Sequence, residues 1–268
     1  MAATILDQLA ESSAQRTAAE KAALAPEPLR EAALALAAAD RPGSAPADRF
    51  EAALAAPGMS FICELKKASP SKGVIAADYP YVEIARAYEA AGAAAVSVLT
   101  EPSRFLGQAE HLRAAARAVS LPVLRKDFIV DPYQIDQARL WGASAVLLIA
   151  ALLGDALPDY LAAARAAGVA ALTEVHDERE AGLAVAAGAR VIGVNHRDLR
   201  TFSVDLGLSA RLRSLVPAGT VFVAESGVKT AADVSRLRSL GVDAVLVGET
   251  LMRAPDKKAA LQALRGEA

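Results

Sequence analysis

Seven ionisable or amide residues stand where an otherwise apolar chain has no ordinary use for them. Glu64 and Lys66 close the run FICELK, Lys126 lies in PVLRKDF and Glu174 in AALTEVH. Asn195 and Arg197 end VIGVNHR, and Glu225 precedes Ser226 in VFVAES. A charge inside a β-branched run is expensive unless it is paired or wet. One such residue reads equally well as a structural ion pair, but a set of them at the ends of several runs points to chemistry. Strand alternation puts Glu64 and Lys66 on one side of their run, so the carboxylate can keep the lysine charged while the lysine still donates to a substrate anion or oxygen. Lys126 and Glu174 belong to the third and fifth runs and can face one another. An ammonium acid and a carboxylate base on opposite sides of a bound molecule form a proton-transfer arrangement.

These residues need elements that aim them at one place. From residue 61 onward, short aliphatic runs alternate with segments of helical periodicity, about every 20 to 30 residues. The runs lie at 61–66, 94–100, 122–128, 144–150, 170–176, 191–197, 221–226 and 244–249. Each is nearly continuous in apolar residues, as a strand buried on both faces should be. The intervening helices end at Gly92, Gly142, Gly168, Gly188 and Gly241, and Asp177 and Thr230 sit where helix-starting acceptors belong. The expected fold is α/β, a (β/α)8 TIM barrel, with an open doubly wound sheet as the alternative. In such a barrel the chemistry sits at the C-terminal strand ends. Gly227 and Gly248, after the seventh and eighth runs, fall where exposed backbone N–H groups bind phosphate. Glu249 joins that site through its N–H, with its carboxylate turned away.

Residues 1–60 do not share the period and read as an N-terminal helical extension packing on the barrel. It has two helical stretches, a Pro- and Gly-containing linker RPGSAPAD, and little chemistry of its own. Residues 61–268 are expected to be one catalytic domain.

Composition narrows the function. Lys and Arg number 29 against 31 Asp and Glu, for a net charge of −2, so no global basic field for nucleic acid exists. Cys63 is the only cysteine, which excludes an intrachain disulfide and a cysteine-rich zinc site, and it reads as a buried small hydrophobe in a reducing compartment. His111, His176 and His196 are too scattered for an obvious metal site, and His111 and His176 read as surface or loop residues. Trp141 reads as packing, and Lys257, Lys258 and Arg265 as a solvated helix face. No secretion signal stands at the N-terminus, and AVLLIAALL is roughly half of the about 20 residues that a membrane span needs. A cytoplasmic protein is expected.

The motifs ELKKASPSKG, LRKDFIVDPYQI, LTEVH, GVNHRDLRTF, AESGV and VLVGETLMR resemble those of the indole-3-glycerol-phosphate synthase family in its monofunctional form. The resemblance covers essentially the whole chain. It implies a carboxy-lyase of tryptophan biosynthesis that closes, decarboxylates and dehydrates 1-(2-carboxyphenylamino)-1-deoxyribulose 5-phosphate. By motif, Lys126 would be the general acid on the substrate carbonyl oxygen. Lys66 would bind the anionic substrate and supply the proton for dehydration, and Glu174 would support transfers on the anilino side. Glu64 and Glu225 would hold and buffer the lysines. Asn195 and Arg197 would position hydroxyls and carboxylate. Pro70, Phe105, Phe128, Leu147 and Leu199 would line the anthranilate pocket, and Ser69, Ser226, Gly227, Gly248 and Glu249 would meet substrate or phosphate. The loop ASPSKGVIAADYP would be a lid. Cys63, Leu65 and Gln108 depart from the residues usual in the family, and none is catalytic. No cofactor or metal is implied. The expected partner is the phosphosugar substrate alone, with neither nucleic acid nor membrane, for a monomer with a weak homodimer as the alternative. Another phosphosugar barrel enzyme, such as phosphoribosylanthranilate isomerase, and a non-catalytic barrel are the competing readings.

Overall fold

The computed structural model describes residues 4–198 and 201–267. Three helices come first, α1 (Ile5–Ala23), α2 (Pro26–Ala38) and α3 (Pro46–Leu54). The strand β1 (Ser60–Leu65) is followed by a small hairpin, β2 (Ala68–Ser69) and β3 (Gly73–Val74). The chain continues through α4 (Tyr81–Ala90), β4 (Ala95–Leu99), α5 (Ala109–Ala118), β5 (Val123–Lys126), α6 (Tyr133–Leu140) and β6 (Ala145–Ile149). Next come α7 (Ala150–Leu153), α8 (Leu157–Ala166), β7 (Ala170–Val175), α9 (Glu178–Ala186), β8 (Val191–Asn195) and α10 (Leu208–Arg213). The remainder is β9 (Val221–Glu225), α11 (Ala231–Ser239), β10 (Ala244–Val247), α12 (Glu249–Arg253) and α13 (Lys257–Arg265). Eight parallel strands close in the order β1-β10-β9-β8-β7-β6-β5-β4, and these are the eight runs read from the sequence. The five helix-ending glycines all have positive φ, from 72° to 90°. Asp177 and Thr230 cap α9 and α11 with their side chains.

Alternation sorts each strand into two sides. On β1, Phe61, Cys63 and Leu65 pack outward under the helices, while Ile62 faces the barrel interior with Leu124, Leu147, Leu172, Val223 and Leu246. Glu64 lies one step above Ile62 on that inner side. The interior begins with alanines: Ala95, Ala145, Ala170 and Ala244 are the first residues of their strands. Phe50 and Leu54 of α3, both fully buried, fill the space those small side chains leave. That end is the strands' N-terminal end, because Ala47 N–H donates to Gly168 O, and the Ser60 hydroxyl to Ala53 O.

The proposed linker RPGSAPAD is shorter than its composition suggests. Pro46 opens α3, where its fixed φ suits a first helical turn and its missing N–H costs nothing. The last expected strand residues also shorten, since Ala150 already begins α7 and Asp127 and Phe128 lie beyond β5. The reading of Lys257, Lys258 and Arg265 as a solvated face holds for Lys258 only. Lys257 donates to the carbonyls of Met252 and Ala254, and Arg265 donates to those of Ala91 and Gly92 and stacks on Phe61. Among the described residues no helix is long and apolar enough to cross a membrane.

Candidate active site

The RKDF segment shows how the strands aim charge. Lys126 points into the barrel mouth, and its neighbours Arg125 and Asp127 point outward into the helical layer. Arg125 is almost completely buried. It stacks over Trp141 at 4.3 Å, donates to Gln134 O at 2.7 Å and meets Asp127 Oδ2 at 3.0 Å. Asp127 also accepts two bonds from Arg16 of α1 (2.8 and 2.9 Å) and one from Thr100 (2.6 Å). Ser13 donates to Phe128 O at 2.6 Å. The residues flanking Lys126 therefore fasten the N-terminal helix over the mouth of the barrel.

At the mouth, Lys126 Nζ sits 3.3 Å from Glu174 Oε2 and 3.5 Å from Glu225 Oε2. Glu64 accepts a direct hydrogen bond from Lys66. All three carboxylates are buried. Two glycines make room for them: a Cβ at Gly248 would lie 2.2 Å from Glu64 Oε1, and one at Gly193 would lie 2.2 Å from Glu225 Oε1.

Burial and neighbours drive the carboxyls apart. Burial works against ionisation of Glu174, but Lys126 first, then His176 and Asn195, hold it far below the usual carboxylate range. Glu225 makes no hydrogen bond through either oxygen. Burial, helped by repulsion from Glu174 and Glu64 and only partly offset by Lys126, pushes it up to about 8. Burial also disfavours the Lys126 charge, yet Glu174, Glu225 and Glu64 outweigh this and keep it an ammonium well above its ordinary range.

A cavity of about 400 Å³ opens above these groups. Glu64, Lys66, Ser69, Pro70, Phe105, Lys126, Phe128, Arg197, Glu225, Ser226, Gly227, Gly248 and Glu249 all line it. Phe105 and Phe128 form an aromatic wall with ring centroids 6.1 Å apart. Three expected residues lie off that wall. Leu147 is buried in the barrel interior below Phe128, Glu174 sits behind Lys126, and Asn195 faces a neighbouring cavity while its Oδ1 accepts from Arg197 N–H at 3.0 Å. Leu199 lies outside the described residues.

The phosphate end is built from loop geometry. Ser226 and Gly227 both have positive φ, 67° and 84°, and a Cβ on Gly227 would strike Val204 Cγ1 at 2.4 Å. The Glu249 carboxylate is drawn to Arg253 (3.1 Å) and Lys72 (3.6 Å), leaving its N–H at the start of α12. Five cations, Lys66, Lys126, Arg197, Lys229 and Arg253, line the cavity against Glu64, Glu225 and Glu249. That surplus suits an anionic ligand.

Sequence reasoning missed several contributors. Ile5, Leu6 and Leu9 of the extension form part of the wall, so the segment is not bare of function. Their helical spacing is visible in the sequence, but their destination depends on the Arg16–Asp127 anchor. Glu101, after β4, is buried and accepts from the N–H groups of Ser103, Arg104 and Phe105, which fixes the loop carrying Phe105. His111 is not the surface or loop residue expected, whereas His176 does stand in the loop after β7, partly buried. His111 is buried in α5 against Tyr79 and Tyr81, and His176 is clamped between Glu174 and Glu180. Cys63 is buried, which pushes its thiol up to about 12, and it takes no part in the site.

Residues 10–264 match the family model described as indole-3-glycerol phosphate synthase. A protein of that name from Ruminiclostridium cellulolyticum is 56% identical over 211 residues, covering 78% of this chain and 81% of its own. Indole-3-glycerol phosphate synthase 2 of Streptomyces coelicolor is 56% identical over 214 residues, covering 80% of this chain and 83% of its own. Among solved structures, 3-hexulose-6-phosphate synthase superposes with a TM-score of 0.63 at 16% identity, over 78% of this chain and 99% of that one. This last likeness speaks for the fold alone.

Proposed function

The chain belongs to the indole-3-glycerol phosphate synthase family, and from that premise we propose how its own residues carry the reaction. The enzyme is a carboxy-lyase of tryptophan biosynthesis. It converts 1-(2-carboxyphenylamino)-1-deoxyribulose 5-phosphate to indole-3-glycerol phosphate, CO2 and water. The observation that carries the assignment of roles is Lys126, charged and placed between one ionised and one protonatable carboxyl at the cavity floor.

The substrate's phosphate fits against the backbone of Ser226, Gly227, Gly248 and Glu249, with Lys66 as the nearby cation. Its aromatic ring fits between Pro70, Phe105 and Phe128, with Arg197 toward the carboxylate. Attack of the ring carbon on the ketone needs positive charge at the carbonyl oxygen, and Lys126 supplies it together with the proton. Loss of CO2 then returns the bonding electrons to the ring. Departure of the hydroxyl as water takes a proton from Lys66, held in place by Glu64. The adjacent methylene then returns a proton to that pair as its C–H bonding electrons form the ring double bond. Glu225 is the proton store that recharges Lys126, and Glu174 is its fixed counter-charge, steadied by Asn195. Ser69, at the base of the hairpin loop, closes on the substrate from above as that loop acts as a lid. Leu147 shapes the floor from below, and Leu199 is assigned to the same pocket by the family motif.

Residues 1–60 are proposed to be part of this one catalytic unit with 61–268, because α1 walls the cavity. The phosphosugar substrate is the expected partner, and the chain is proposed to act as a monomer. The lone buried thiol fits the cytoplasm. Indole fluorescence that rises when the purified protein meets the carboxyphenylamino substrate, with one CO2 per turnover, tests the reading. A protein that instead forms that substrate from phosphoribosylanthranilate would refute it, and light scattering on an eluting peak tests the monomer.

A further inference from the structure

Seen from Lys126, Glu174 and Glu225 lie at similar distances, 3.3 and 3.5 Å, and both are buried, though Lys126 donates a hydrogen bond to Glu174 alone. They differ further in what stands behind them. Glu225 has no hydrogen-bond donor on either oxygen. Behind Glu174 is His176, whose Nε2 lies 3.3 Å from Glu174 Oε1, within ion-pair distance but outside hydrogen-bond geometry. The other ring nitrogen, Nδ1, lies 3.1 Å from Glu180 Oε2, and the same oxygen accepts the His176 backbone N–H at 2.8 Å. Glu180 is itself fixed near the start of α9, its N–H bonded to Asp177 at 2.8 Å. An imidazole between two carboxylates can satisfy both only by carrying two N–H groups.

We propose that His176, clamped between Glu174 and Glu180, is a positioning residue that decides which of the two carboxyls flanking Lys126 keeps the proton. With its charge behind Glu174, Glu174 stays ionised and the proton goes to Glu225, which gives the pair its acid and its counter-charge. The two glutamates hold the imidazole proton against the cost of burial and raise His176 to about 10. The other groups facing it across the second cavity are Asp177, His196, Asp198, Asp205 and Arg211, and Arg179 lies 3.9 Å from Glu180. His196 is already committed, with Nδ1 toward Ser226 O at 3.1 Å and Nε2 toward the Ser209 hydroxyl at 2.7 Å, and burial keeps its pKa low. Among these histidines, the clamp therefore singles out His176 as the cation behind the catalytic pair.

The inference rests on the synthase reading but is tested partly without turnover. In the unliganded wild type at pH 8.0, the ¹⁵N shifts of His176 should show both ring nitrogens protonated; a neutral tautomer overturns the proposal whether or not the protein is a synthase. For turnover, kcat and KM of wild type, His176→Gln and His176→Lys are followed by indole fluorescence from pH 6 to 10. A cation within about 4 Å lowers a carboxyl by about 1 to 3 units. Removing it should let the pair keep its single proton to higher pH, moving the alkaline limb of kcat up by at least about half a unit. Part of that proton then rests on Glu174, so kcat near neutrality should fall about tenfold, with KM changed less than about twofold. His176→Lys, which restores the charge, should recover part of both. An unmoved limb in a folded His176→Gln enzyme, or a uniform loss at every pH, overturns the proposal. Should His176→Gln fail to fold, Glu180→Gln is used instead and should move the limb in the same direction. A wild type that makes no indole-3-glycerol phosphate refutes the synthase reading and leaves the ring's protonation to decide this one.

Discussion

Gly193 is the position at which one added methyl group separates catalysis from folding. It lies on β8 directly between Glu174 and Val223 in the sheet register, and an alanine Cβ there would stand 2.2 Å from Glu225 Oε1, 3.3 Å from its Cδ and 3.0 Å from Leu172 Cδ1. Ordinary contact begins at 3.4 Å, so the carboxyl has to retreat by about 1 Å and Leu172 by a few tenths. Glu225 makes no hydrogen bond, so that retreat sacrifices no fixed partner other than its contact with Lys126. The backbone at Gly193 has no positive φ, and replacing it by alanine reduces the freedom of the unfolded chain by about 0.4–1 kcal/mol. Folding stability should therefore stay within about 1 kcal/mol of wild type. A displacement of about 1 Å at a reacting group costs about 100-fold, or about 2.7 kcal/mol in the barrel's transition-state stabilisation. Gly193→Ala should show a kcat about 100-fold lower with KM little changed, by indole fluorescence, and a urea midpoint close to wild type. Gly107→Ala is the control. Its Cβ would stand 2.3 Å from Leu99 O and 2.6 Å from Leu99 C, both backbone, so this variant should lose stability instead. Wild-type kcat in a folded Gly193→Ala enzyme would refute the placement of Glu225 at the chemistry.

Further outcomes follow from the same geometry. Lys126→Met should lower kcat at least about 1,000-fold, since charge and proton are lost together, while product binding followed by fluorescence quenching persists; an active variant would remove Lys126 from its role. Stability should fall as pH rises through the site. Glu225 is raised from 4.5 to about 8, so its contribution is complete below pH 4.5 and lost as pH passes 8, and His176, raised from 6.5 to about 10, behaves alike between those values. Urea midpoints taken from pH 6.5 to 10 should decline, and Glu225→Gln should flatten the lower part of that decline. Arg16→Ala removes the paired bonds to buried Asp127 and should cost about 1–3 kcal/mol in urea unfolding. It should also raise KM, because α1 walls the cavity. An unchanged KM would show that the wall does not need this anchor.

The strands and most helices were legible in the sequence because a buried parallel strand and a helix cap leave local marks. Alternation alone placed Glu64 with Lys66. Strand order brought Lys126 and Glu174 to the same mouth, but they meet as a direct ion pair at 3.3 Å with Glu174 behind the lysine, not on opposite sides of a bound molecule. What escaped was what long-range packing decides. His176 looks like any histidine at a strand end until α9 brings Glu180 to it, and the apolar residues of α1 acquire their destination only through Asp127. Pro46 stands in a stretch of loop composition, although proline also opens helices, as it does in α3. Arg125 and Asp127 could not be separated from Lys126 by residue type; only the alternation of β5 sends them to the opposite side. Glu101 went unnoticed because its task is to hold backbone N–H groups, which leave no signature in side-chain spacing.

The residues before β1 touch both ends of the barrel, α3 among the strand starts and α1 across the mouth. Their partners lie far along the chain: Arg16 pairs with Asp127, Arg139 with Asp40 and Arg190 with Glu51. A ribosome makes these helices before any of the strands they seal, and each must wait for a surface that does not yet exist. The segment synthesised early is thus the one placed late, and loop closure over about a hundred residues precedes any reward from these contacts. The cavity gains its α1 wall only once that docking is complete, so competence for catalysis should trail barrel formation in a refolding experiment.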